Sequence, residues 1–169
     1  MNRSRNLLSN FPMIQQVISK AVSHLGYVEG KNNDNIFAAE VGHANNQPWC
    51  NTFICAVFKE AEEEAAVINT AAVLTTLAWA VKYNRLITKQ LAKRGDLVLF
   101  NFHGSKTPEH IELAVHDFDP KSASIECIGG NTSPVISSGS QANGDGVYKK
   151  MRPVQSIVAV VRPMYKETQ

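Results

Sequence analysis

The chain lacks any long apolar run. Its start carries Arg3 and Arg5, as a signal peptide would, but the apolar stretch Leu7–Leu8 ends after two residues at Ser9. A secretory signal needs an apolar core of about 7–15 residues, and a membrane-spanning helix needs about 18 or more. We therefore expect a protein that is made in the cytoplasm without a signal peptide and that does not insert into a membrane.

Neither sign of charge dominates the sequence. There are 17 Lys and Arg against 15 Asp and Glu, which gives a formal net charge of +2. Nucleic-acid-binding proteins usually concentrate their basic residues in one patch or stripe, and no such block is present, so we expect no nucleic-acid partner. With 44% hydrophobic residues in 169, the composition is typical of a single globular domain, and we assign 1–169 to one domain.

Cysteines are also few. The three present are Cys50, Cys55 and Cys127, an odd number without the spacing of a disulfide framework and too few for a four-cysteine zinc site. The histidines and acidic residues do not follow the spacing of zinc peptidases either. The sequence therefore predicts free thiols and disfavours a metallopeptidase.

Apolar periodicity indicates helices in the first half of the chain and strands in the second. The predicted helices cover 11–25, 36–41, 50–66 and 70–83, and the predicted strands cover 97–100, 109–117, 124–128, 146–151 and 156–161. Helices followed by strands are typical of an α+β domain, in which the N-terminal helices pack on one face of an antiparallel sheet. We expect a sheet of about five to six strands.

Cys50 stands where a protein can activate a thiol. It follows Pro48 and Trp49 and opens a stretch of helical period. The apolar stripe of that stretch continues with Phe53, Ile54, Val57 and Ala61. A helix N-terminus has unpaired N–H groups and the positive end of the macrodipole, and both favour the thiolate. Cys50 is therefore the candidate nucleophile, and a small buried apolar residue is the alternative.

A cysteine nucleophile needs a base, which is usually imidazole. Among five histidines, His110 opens a predicted strand, and a strand start can face the N-terminus of a helix packed on the sheet. Ala114, on the same face, would let such a helix approach closely. Asn131 ends the next strand after two glycines and can orient the ring. The residues thus suggest a triad of Cys50, His110 and Asn131, held as a thiolate–imidazolium pair.

Four short motifs occur in a fixed order along the chain. They are Pro48-Trp49-Cys50, Arg94-Gly95-Asp96-Leu97-Val98, His110-Ile111-Glu112-Leu113-Ala114-Val115 and Gly130-Asn131-Thr132-Ser133. In this order they resemble the CHAP family, the cysteine, histidine-dependent amidohydrolases/peptidases that cut bacterial peptidoglycan. The resemblance covers residues 10–163 and implies a papain-like (NlpC-type) fold. It also implies that Cys50 is the nucleophile, His110 the base and Asn131 the residue that orients the ring.

One position departs from the pattern of that family. Many members carry Glu two residues before the Asn, where this chain has Gly129. Glu126 precedes Asn131 by five residues, which puts it on the opposite face of a regular strand. It could replace the missing carboxylate only if Gly129 and Gly130 form a bulge. We therefore expect a Cys-His-Asn triad without an additional carboxylate.

Three residues near the motifs are candidate substrate contacts. Trp49 could line the cleft or pack in the core, and Gln47 could donate to the oxyanion or form a turn. Glu112 could contact substrate, pair with a cation or remain a partly exposed strand carboxylate. Some CHAP domains bind calcium ahead of the cysteine, but this loop has only two acids, Glu29 and Asp34, and calcium needs about six or more oxygens. We expect no metal and no cofactor, with calcium as the weaker alternative.

The resemblance implies hydrolysis of an amide bond in bacterial peptidoglycan, by an amidase or an endopeptidase. We expect no separate wall-binding domain and no export signal. We therefore expect a phage endolysin that is released by a holin and has bacteriolytic, antimicrobial activity. A cell-wall-degrading effector delivered by secretion machinery is one alternative. An inactive wall-binding or virion structural module of the same fold is another.

Overall fold

The computed structural model describes residues 11–135 and 139–166. The signal-like N-terminal segment and the middle of the Ser/Gly/Asn-rich loop lie outside these residues. The helices are α1 (Phe11–Ser23), α2 (Phe37–Val41), α3 (Cys50–Glu60) and α4 (Val73–Lys82). The strands are β1 (Leu86–Ile87), β2 (Leu97–Phe100), β3 (His110–Ala114), β4 (Ser124–Thr132), β5 (Gly146–Pro153) and β6 (Ile157–Val161).

The six strands form one sheet in the order β1-β6-β2-β3-β4-β5, and every neighbouring pair is antiparallel. Side chains alternate between the two faces along each strand. On β3, Ile111 and Leu113 belong to the core layer that also contains the buried faces of α1 and α3, whereas Ala114 belongs to a second buried layer. The prediction of an α+β domain with helices packed on an antiparallel sheet is confirmed.

The two largest departures from the predicted ends of the elements are in α3 and β4. The helix at Cys50 stops at Glu60 rather than at residue 66, because Glu62 adopts a left-handed φ of 59° and the Glu63 N–H donates back to the Phe58 carbonyl at 2.8 Å. The strand predicted to break at residue 128 instead continues through two glycines to Thr132. Strand β1 has only two residues, too short to show a period in the sequence.

Across the described ranges, 11–135 and 139–166, every helix falls short of the length and apolar character needed to cross a bilayer.

Candidate active site

Cys50 begins α3 at a point where two strands separate. The paired residues of β3 and β4 stop at Leu113 and Ile128, and β4 then becomes irregular. The Ile111 N–H lies beyond this pairing and donates to the Cys50 sulfur. The start of α3 therefore occupies the opening between β3 and β4, beside the residue that follows His110.

Trp49 fixes this position of the helix start. Its ring is fully buried and stacks on Phe37 with ring centroids 5.4 Å apart, and its indole N–H donates to Glu29. A Cβ placed on Gly130 would overlap Trp49 and would lie 2.7 Å from the Cβ of Phe53. Only a glycine lets β4 approach so closely. Trp49 is thus a core residue, and it presents no surface to a substrate in this structure.

His110 pairs with Glu112 rather than with Asn131. Its Nε2 lies 3.0 Å from Glu112 Oε1, and neither side chain is exposed. Arg152 of β5 binds the same carboxylate, with Nε donating to Oε2 at 3.0 Å and Nη2 donating to Oε1. An ionised carboxylate only accepts hydrogen bonds, so His110 Nε2 carries the ring proton and Nδ1 carries the lone pair. Among the described residues, that Nδ1 has no hydrogen-bond partner.

The side chains of His110, Glu112 and Ala114 share one face of β3, but this is the face turned away from α3. Ala114 packs in the second core layer, whereas Ile111 packs in the layer beneath the helix. The expectation that Ala114 makes room for the helix is therefore wrong. The opening between β3 and β4, rather than a small side chain, lets Cys50 approach the start of β3.

Asn131 holds a loop in place. It ends β4 with a left-handed φ of 56°, and its Nδ2 donates to Asn143 Oδ1 at 3.2 Å and to the Ala142 carbonyl at 3.4 Å. Its Oδ1 is buried and has no partner in the described part of the chain. The contact predicted between Asn131 and the His110 ring is absent from the hydrogen bonds of these described residues.

A carboxylate does reach the histidine, although position 129 is a glycine. A Cβ placed on Gly129 would lie 2.6 Å from Glu112 Oε1, so the Glu112 side chain fills the space in front of that glycine. The expectation of a site without an additional carboxylate is wrong for this reason. Glu126 points elsewhere and pairs with His116 at 3.0 Å. The alternation of the strand puts Glu112 on the same face as His110 and made it a candidate substrate contact or partner of a cation, but its contact with position 129 requires the register of β3 against β4.

The remaining candidate residues, Gln47, Glu112 and Asp34, each have different partners. Gln47 is partly exposed, and its Nε2 donates to the Ala44 carbonyl at 3.0 Å, which is a local turn contact. Glu112 is fully buried and paired with a cation, so it is not a partly exposed strand carboxylate. Asp34 accepts from Asn45 Nδ2 at 2.7 Å. Within residues 11–135 and 139–166, no group of three or more His, Cys, Asp or Glu side chains could hold a metal ion.

Burial sets the protonation of the site. It raises the pKa of the Cys50 thiol to about 11, against the opposing hydrogen bonds from the N–H groups of Ile111, Asn51 and Cys50 itself. Burial also lowers the pKa of His110, and the nearby cationic side chains of Arg152 and Lys150 act in the same direction against Glu112. Both pKa shifts favour the neutral thiol and the neutral imidazole over the thiolate–imidazolium pair expected from the sequence.

Comparison with known proteins identifies a relative in fold. No known protein family matches the chain, and no curated protein sequence matches it. The structure is similar to that of the peptidoglycan hydrolase RipB from Mycobacterium tuberculosis, with a TM-score of 0.50 and 18% sequence identity. The match covers 96% of this chain and 68% of RipB. At this level of identity the match shows the fold, which is the predicted papain-like (NlpC-type) arrangement.

Proposed function

We propose that this chain hydrolyses an amide bond of bacterial peptidoglycan, with Cys50 as the nucleophile and His110 as the base. One observation carries the proposal. A thiol at a helix start lies beside β3, where the first residue is a histidine whose Nε2 is occupied by Glu112 and whose Nδ1 has no partner among the described residues. The shared fold with a peptidoglycan hydrolase supports the choice of substrate.

The proposed reaction starts from the neutral pair. The Cys50 sulfur attacks the amide carbonyl carbon while its proton passes to His110 Nδ1, so that no ion pair has to exist beforehand. The Cys50 backbone N–H donates to the oxyanion that develops. His110 then returns the proton to the departing amine as the C–N bond breaks. Water, activated by the same Nδ1, hydrolyses the thioester and restores the thiol.

A second candidate function is favoured by the closed state of the site. The Cys50 side chain is only 3% exposed and forms no hydrogen bond with His110 among the described residues. An inactive module that binds the cell wall would tolerate such a site. If the chain is an enzyme, the residues that cover Cys50 must move when substrate binds. Measured hydrolysis therefore distinguishes an enzyme from an inactive binding module.

The biological setting we propose is that of a phage endolysin released by a holin. The alternative is an antibacterial effector delivered by secretion machinery. Both would use the same amide hydrolysis. An adjacent gene for an immunity protein would favour the effector, and an adjacent holin gene would favour the endolysin.

Digestion of purified peptidoglycan tests the proposal. The wild-type protein should release fragments, and their masses identify the bond as the sugar–peptide junction or a link within the stem peptide. Cys50→Ser should release none. The matched control is Cys55→Ser, a buried thiol in the same helix whose sulfur contacts the carbonyls of Ile68 and Thr70; it should retain activity. Binding without any fragments from the wild type would establish the inactive module instead.

A further inference from the structure

Arg152 is fully buried, and each of its three guanidinium nitrogens donates a hydrogen bond. Besides the two bonds to Glu112, its Nη2 donates to Thr132 Oγ1 at 3.0 Å and its Nη1 donates to Gln141 Oε1 at 2.7 Å. Its guanidinium also lies 4.9 Å from the ring centroid of Phe102. A planar guanidinium can bind a carboxylate through two parallel bonds, which fixes both partners in orientation.

Glu112 transmits this orientation to the histidine. One of its oxygens, Oε1, receives bonds from both Arg152 Nη2 and His110 Nε2, while Oε2 receives the Arg152 Nε bond. The carboxylate therefore cannot rotate without losing Arg152. Gly129 is required for this arrangement, because a side chain there would collide with Glu112.

We infer that Arg152 is a positioning residue that acts through Glu112 to hold His110 as the Nε2–H tautomer, with Nδ1 free to accept the thiol proton. The catalytic consequence rests on the proposed function, but the tautomer does not. Glu112 thus supplies from β3 the orienting contact that was expected from Asn131 on β4.

The charged groups that act on His110 come from two strands. Glu112 is its neighbour on β3, and Arg152 and Lys150 approach from β5. Lys150 is itself bound to Thr132 Oγ1 at 2.7 Å and to Gln141 Oε1 at 2.9 Å. The variants must therefore alter only the Glu112–Arg152 pair and leave Lys150 in place, so that a change in the titration of His110 can be assigned to that pair.

The experiment measures the tautomer of His110 by imidazole ¹⁵N chemical shifts, with His110→Gln used to assign its signals. In the wild type the signals should be those of the Nε2–H tautomer. In Glu112→Met/Arg152→Met, which replaces the buried pair with apolar side chains of similar length and often leaves such folds intact, His110 should lose this single tautomer. Peptidoglycan hydrolysis should fall about 100-fold, with a shifted pH–rate profile.

Two further variants separate positioning from structure. Arg162→Met removes the guanidinium of a different, partly buried pair, with Asp96, and should leave the His110 signals and the pH–rate profile unchanged. Glu112→Gly/Gly129→Glu moves the carboxylate to the neighbouring strand and should regain at least tenfold in rate over Glu112→Gly. An unchanged Nε2–H tautomer and pH–rate profile in the double methionine variant would overturn the inference. If the wild-type protein does not hydrolyse peptidoglycan, only the proposed function is contradicted.

Discussion

Two Arg–carboxylate pairs lie at opposite ends of the paired strands β2 and β3, and both side chains are fully buried only in the Glu112–Arg152 pair. Glu112 and Arg152 meet at the His110 end. Asp96 and Arg162 meet at the other end, just before β2, with Nε donating to Oδ1 at 2.9 Å and Nη2 donating to Oδ2 at 2.8 Å. Both pairs have the same two-bond geometry, so they form a natural internal comparison.

The pKa values of the two carboxyl groups are nevertheless shifted in opposite directions. Burial raises the pKa of Asp96, and its bonds from Arg162 and the Lys93 N–H do not offset that effect. Burial acts on Glu112 in the same way, but the hydrogen bonds from His110 and Arg152 outweigh it and lower the pKa of Glu112 to about 2. The third partner differs: the Lys93 N–H donates to Asp96, whereas His110 donates to Glu112.

The largest expected effect concerns stability. Arg152 is fully buried, so Arg152→Met leaves the Glu112 carboxylate without its cation and should cost about 3–5 kcal/mol in the free energy of unfolding. The side chain of Arg162 is 26% exposed, so water can solvate the carboxylate that Arg162→Met leaves behind, and the cost should be smaller. Urea denaturation measures both. Equal losses would show that the two pairs are energetically equivalent.

More of the fold than of the candidate site could be predicted from the sequence. Helical and strand periods, together with the order of four motifs, were enough for the α+β architecture and for Cys50 and His110 as the candidates. The role of Glu112 depends on the register of β3 against β4, which determines that it lies in front of Gly129. Register is a tertiary property, and no local pattern in the sequence contains it.

The next largest expected effect is a loss of activity, which distinguishes the role of Glu112 from that of Asn131. Glu112→Gln keeps the size of the side chain but removes the charge that fixes the His110 tautomer, and we expect about a 100-fold loss in kcat/KM. Asn131→Gly keeps the left-handed backbone at that position. It should lose less than about tenfold, because Asn131 holds the loop rather than the ring. Steady-state hydrolysis of peptidoglycan measures both. A larger loss in Asn131→Gly would restore Asn131 as the orienting residue.

The smallest expected effect is on the pH dependence of stability, to which Glu112 and Asp96 should contribute with opposite sign. Since the pKa of Glu112 is lowered by folding, its stabilisation is complete above its usual pKa of 4.5 and is lost as pH falls toward about 2. Since the pKa of Asp96 is raised, its contribution becomes more favourable as pH falls toward 3.8. Denaturant titrations from about pH 2 to 4.5 for Glu112 and from pH 3.8 upward for Asp96, with Glu112→Gln and Asp96→Asn as references, should give slopes of opposite sign.

Detection of a covalent intermediate tests the central claim most directly. The protein is mixed with soluble peptidoglycan fragments, quenched in acid and analysed by mass spectrometry of its proteolytic peptides. Attack by the Cys50 thiol predicts an acyl adduct on the peptide that contains Cys50, and none on those that contain Cys55 or Cys127. Fragments released at the wild-type rate by Cys50→Ser, with no adduct on the wild-type protein, would contradict it.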